Sequence, residues 1–244
     1  MGVIRSSQGV NFATGGGRLE GNPRFVSRTT PNGLGVLAQN LRVGIGATYT
    51  ENFFSPLQQA LSEPLTSGYN AGFLREGSYL VVLFLTDTDD QSNITPQAMY
   101  DFLVQLKGDA DRFFIGAAFI PDAEVMSCSG ESIEINRLDN LPQFFKMTQA
   151  ATFSLCDPDF GQKLAEIGQV IAKRAQTMLL KKIPKKGTIK VLVGDTELIN
   201  DPHAGWTYNA ALNAIEFGSE IDWEQFPDNT FPQVNFEAID IENP

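Results

Sequence analysis

Tyr79 to Leu85 (YLVVLFL) is the feature that most limits what this chain can fold into. A continuous apolar run of that length, partly β-branched and aromatic, suits a strand covered by helices on both faces, so a central parallel strand is expected here. A second such run, Phe113 to Ile120 (FFIGAAFI), follows. Between them, Thr95-Pro96 marks a helix start, Met99, Phe102, Leu103 and Leu106 share one face, and Gly108 marks the stop. Strand, helix, strand in that order predicts an α/β domain with a parallel sheet flanked by helices.

Ser55-Pro56 is expected to open a short helix, with Ser55 as N-cap and Leu57, Ala60 and Leu61 inward. Asp157-Pro158-Asp159 would cap another, with Phe160, Leu164, Ile167 and Ile171 inward and Lys173-Arg174 at its C-terminal end. Met1 to Ile4 reads as a strand, Gly9 to Gly21 as a loop, and Pro121 to Gln149 as a long irregular segment. After the last helix the character changes: Ile189 to Val193, Ala214 to Phe217 and Val234 to Ile239 are short strands with turn residues between them. The division drawn is an α/β domain over residues 1–180 and a small β-rich C-terminal appendage over 181–244.

A net charge of -11 argues against nucleic acid, which is held by clustered Lys and Arg. The basic run Lys181 to Lys186 reads as a solvated loop, and Gly218 to Pro244 holds seven acidic residues and no basic one. No apolar stretch is long enough for a membrane span, and Met1 to Arg5 does not have the form of a secretory signal. Cys128 and Cys156 permit one disulfide, which would imply an oxidising compartment, or else two free buried thiols.

Ligands of open parallel sheets bind at the carboxyl ends of the strands, which directs attention to Thr86-Asp87-Thr88-Asp89-Asp90-Gln91-Ser92. Its carboxylates and hydroxyls suit Mg2+ or Ca2+, and equally a polar turn that caps the next helix. Thr48, Thr50 and Glu51 form a second polar cluster that could meet the first, with Asp87 and Asp90 as the carboxylates opposite. His203, the sole histidine, stands in the turn Asp201 to Gly205, no GxSxG occurs, and Gly15-Gly16-Gly17 lacks the Gly-Lys-Ser/Thr of a phosphate loop. An enzyme is not expected.

Several segments together resemble the exported, often lipoprotein, von Willebrand factor A-like domains of bacteria. Tyr69 to Arg75 (YNAGFLR) is similar to that family's N-x-G-F-L-R lead-in and Phe84 to Ser92 to its V-S-D-E-D-D-x-S. Thr152 to Phe160 and Gly205 to Phe217 are similar to its S-I-C-x-x-D-F and G-W-x-Y … N-x-I-x-F segments. The resemblance implies a Rossmann-like sheet and a metal-ion-dependent adhesion site in which Asp87 takes the third-loop place, Thr48 or Thr50 the second, with Glu51 beside them. The family's DxSxS motif is absent, so the site is expected to be incomplete and the sequence to begin inside the domain. The function so implied is extracytoplasmic binding or adhesion toward a protein or cell-surface ligand, with an acidic side chain of the partner completing the metal's coordination. A metal-free interaction domain is the alternative, and a hydrolase built on Asp87 and Asp90 comes third.

Overall fold

The structure is a computed structural model that describes residues 1–6, 16–44, 51–75, 78–120, 128, 139–227 and 230–239. It divides into two compact units, Met1–Phe160 and Gly161–Pro244.

In the first unit, β1 (Leu80–Thr86), β2 (Phe113–Phe119) and β3 (Ala151–Ser154) form a parallel sheet in that order. The α-helices whose bounds are described are α1 (Gly33–Asn40), α2 (Phe54–Ala60), α3 (Pro96–Lys107) and α4 (Asn140–Met147). As expected, Thr95 caps α3 by accepting the Ala98 N–H at 3.2 Å, and Gly108 ends it at a φ of 78°. Phe54, Leu57, Phe84, Met99, Leu103, Ile115 and Phe144 are buried together as the centre of the core.

The expected Rossmann-like von Willebrand factor A sheet is not what forms. Among the described residues the parallel sheet has three strands, and the other sheets are small and antiparallel, giving a small mixed α/β fold. Two physical causes are visible. Met1 to Ile4 is not a sheet strand, because the Met1 and Val3 carbonyls accept from Val26 and Glu20 and only an isolated bridge, Gly2 to Phe25, results. The strands after β3 are two to four residues long, and the tight turns between them at Gly194 and Asn213, both at positive φ, return the chain antiparallel.

β1 also differs from its expected place. β2 is the central strand, buried at every position but its last, whereas among the described residues β1 lies at the sheet edge. Its side chains alternate, with Leu80, Phe84 and Thr86 buried and Val81, Leu83 and Leu85 exposed. The segment expected to be irregular contains α4, whose preceding residue, Asp139, sits at a φ of 59°.

The second unit begins within α5 (Phe160–Ala175). β4 (Thr177–Leu179), β8 (Ala214–Phe217) and β7 (Trp206–Asn209) make one antiparallel sheet in that order, and β6 (Thr196–Glu197), β5 (Lys190–Val193) and β9 (Pro232–Asn235) another. Val191, Trp206, Ile215, Phe217 and Ile221 form its core. Gly205 is obligatory ahead of β7, because a Cβ there would stand 1.9 Å from the Ile199 carbonyl oxygen. Among the described residues no helix is long and apolar enough to cross a membrane.

Candidate functional site

The loop after β1 is where the sequence places most of the candidate chemistry, and its carboxylates have separate fates. Asp90 is completely buried. Its Oδ1 accepts the backbone N–H groups of Phe53 at 2.6 Å and Phe54 at 3.0 Å and the Ser92 hydroxyl, while Oδ2 accepts the Ser92 N–H at 3.2 Å. The Phe53 and Phe54 N–H groups are orphan donors at the start of α2, so Asp90 caps a helix far from it in sequence. Ser55, the expected cap, makes no such bond with its side chain; its N–H instead donates to the Ser92 hydroxyl at 3.2 Å.

Asp89 performs the same task at the other side. Its Oδ1 accepts from Leu141 N–H at 2.7 Å and from Asp90 N–H at 2.8 Å, and its Oδ2 from Asn140 N–H at 3.0 Å. The Asn140 side chain returns a bond to the Asp90 carbonyl at 2.9 Å. Asp139, at the N-cap of α4, makes no side-chain cap bond, so Asp89 supplies the anion its N-terminus favours. Burial raises the Asp90 pKa above the ordinary aspartate value and outweighs the opposing bonds from Ser92, Phe53 and Phe54.

Asp87 alone among the loop's carboxylates is exposed. Glu51 is brought to the same loop: its Oε2 accepts the Thr88 hydroxyl at 3.0 Å and its carbonyl accepts the Gln91 N–H at 2.9 Å. The Thr86 hydroxyl closes the turn by accepting the Thr88 N–H at 3.0 Å and donating to the Thr88 carbonyl at 2.9 Å. Of the five residues expected to ligate a metal, the structure thus brings Asp87, Glu51 and Asp90 to one loop. Thr48 and Thr50 lie outside the described residues.

Among the described residues the oxygens of this loop are not gathered into a Mg2+ or Ca2+ site. Ca2+ takes about six to eight oxygen ligands with lone pairs turned toward it. Those of Asp89 and Asp90 are turned to N–H and O–H donors instead. Among the described residues no group of three or more His, Cys, Asp or Glu side chains is placed to hold a metal ion. The crevice beside the loop, between Asp87 to Asp89, Phe119–Ile120 and Leu141–Pro142, has a volume of about 10 Å³. That is room for one water molecule, not for a metabolite.

Cys128 and Cys156 form a disulfide with a Cα separation of 5.5 Å. It ties the segment after β2 to the segment after β3. In the second unit, the His203 backbone N–H donates to the Asp201 carboxylate at 2.8 Å in an exposed turn, as does that of Ala204. These bonds hold the Asp201 pKa below its ordinary value.

The capping partnerships of Asp89 and Asp90 were missed from sequence because their partners are remote: no local pattern connects Asp90 with Phe53 or Asp89 with Asn140. Asn70 was missed likewise. It is buried, its amide donates to the carbonyls of Gly17 at 2.8 Å and Ala60 at 3.1 Å, and its oxygen accepts the Leu19 N–H at 3.1 Å. The only sequence signal was its place in the YNAGFLR segment.

Compared with family models, with curated proteins and with solved structures, the chain finds no match in any of the three. The von Willebrand factor A resemblance therefore rests on its sequence motifs alone.

Proposed function

We propose that this chain is an extracytoplasmic protein-binding module, not an enzyme, and that it receives its partner along β1. The observation that carries the reading is the outer row of that strand: Val81, Leu83 and Leu85 are 37%, 36% and 50% exposed, although their neighbours in the sheet are buried. Exposed apolar side chains grouped in this way mark interaction surfaces. The alternation continues to exposed Asp87, so the row ends on a negative charge. A partner that fits presents apolar side chains in a row with a Lys or Arg at the end facing Asp87.

Two further observations support the reading. The disulfide suits an oxidising compartment outside the cytoplasm. The buried carboxylates of the loop are engaged by helix N-termini, leaving them no role as a catalytic acid and base.

A photo-crosslinking side chain at Leu85, with one at exposed Leu212 of the second unit as control, tests this in the producing cell. The expected result is a single adduct at Leu85, traced by mass spectrometry to one polypeptide and lost on Leu83→Lys. Equal labelling from both positions, or none from Leu85, would overturn the reading.

A further inference from the structure

In a chain of net charge -11, residues 1–44 carry five arginines, no lysine and a single acid, Glu20. Glu20 forms an ion pair with Arg5 at 2.9 Å. Arg18 and Arg24 converge elsewhere, on the ring of Tyr69, with guanidinium carbons 4.9 Å and 3.8 Å from its centroid. Arg24 also donates to the Tyr69 carbonyl. Neither arginine has a carboxylate partner among the described residues.

The platform under these side chains is rigid. Buried Asn70, next to Tyr69, bonds to Gly17 and Leu19 on either side of Arg18. Gly17 lies at a φ of 71° and packs so closely that a Cβ would stand 2.5 Å from the Ala60 nitrogen. Arg24 precedes Phe25, whose ring packs on Phe73 at 5.8 Å. Two guanidiniums are thus held at one ring, which attracts each of them and places their carbons no more than the summed centroid distances apart.

We infer that Arg18 and Arg24, on the Tyr69 platform, form a binding site for a phosphate monoester. The arginines offer two planar forks of N–H donors and two positive charges. A carboxylate fills one fork and brings one negative charge, whereas a phosphate monoester brings nearly two charges and three terminal oxygens, enough for both. The phosphate can belong to a lipid headgroup or to a small soluble molecule; the recognition chemistry is the same. This site is independent of β1 and of the protein-binding reading.

The test titrates the full chain with inorganic phosphate and follows the arginine side-chain N–H resonances, with chloride at equal ionic strength as the reference. Saturable shifts confined to Arg18 and Arg24 are expected. Calorimetry with phenyl phosphate should show binding weakened about tenfold or more by Arg18→Ala and by Arg24→Lys, which keeps the charge but loses the fork. Exposed Arg42→Ala should have no effect. Sedimentation with phosphatidylcholine vesicles, with and without phosphatidic acid, assigns the source. Arginine-dependent vesicle binding points to a headgroup, and phosphate binding without it to a soluble monoester; both support the site. No saturable shift at 20 mM-scale phosphate (roughly the weak limit for two charge-assisted contacts), shifts spread over all the arginines, or full binding by Arg24→Lys would overturn it. The resonance measurement on the unmodified chain decides the matter even where a variant fails to fold.

Discussion

The loop after β1 and the Tyr69 platform each hold two like charges close together, and they differ in who supplies the opposite partner. Asp89 and Asp90 are buried and meet seven donors from the chain itself, most of them backbone N–H groups at the starts of α2 and α4. Arg18 and Arg24 are exposed and meet a ring and one carbonyl. Charges that the fold has already answered serve the fold. Those left unanswered on a rigid base are available to something else.

That contrast predicts unequal costs of removal. The largest belongs to Asp90→Ala, which leaves buried N–H groups without an acceptor and should lower stability by about 3 to 5 kcal/mol. Urea denaturation would read it, and a loss under about 1 kcal/mol would mean that the clamp is not structural. Next comes the disulfide, another tie made within the chain. Replacing Cys128 and Cys156 by Ala should cost about 3 to 4 kcal/mol for a loop closed across 28 residues of sequence separation. An unchanged urea midpoint in the double variant would contradict that.

A smaller effect distinguishes Asp90 by pH. Burial raises its folded pKa, so the folded state keeps the proton to higher pH than the unfolded state does. Its contribution to stability is therefore full below the ordinary value of 3.8, falls as pH rises through the raised folded value, and is flat above it. Asp90→Asn should remove that fall, whatever it does to stability overall. Urea midpoints of both proteins across the acid range would show whether the two curves differ in slope.

At the other pole, Arg18→Ala and Arg24→Ala should each change stability by no more than about 0.5 kcal/mol, since no buried partner is abandoned. A loss near that of Asp90→Ala would erase the contrast. Smallest of all is the response to divalent ions. With Asp89 and Asp90 engaged, millimolar Ca2+ or Mg2+ should leave the unfolding temperature unchanged, whereas a rise that Asp87→Ala abolishes would restore the metal reading.

Much of the first unit was legible because its signals are local. Two apolar runs and a helix bounded by Thr95-Pro96 and Gly108 are enough to place β1, α3 and β2. The edge position of β1 was not legible, because Val81, Leu83 and Leu85 are as apolar as the side chains on its buried face, and composition then reads as burial on both sides. α4 escaped notice because Pro142 lies within it and its cap is Asp89, remote in sequence. The division of labour among Asp87, Asp89 and Asp90 was hidden for the same reason: three carboxylates in one loop look alike until the helix starts they face are known. The Tyr69 platform depends on Arg18 and Arg24 meeting a ring distant in the chain, and no sequence spacing encodes that.

The adjacent placement of Asp89 and Asp90 has a consequence for how the first unit opens. Any local fluctuation that frees the loop after β1 withdraws acceptors from α2 and α4 in the same event. The amide hydrogens of Phe53, Phe54, Asn140 and Leu141 should therefore exchange with solvent as one group, at a shared opening free energy, despite their separation along the chain. Two side chains, neighbours by a single peptide bond, make the starts of two helices one cooperative unit.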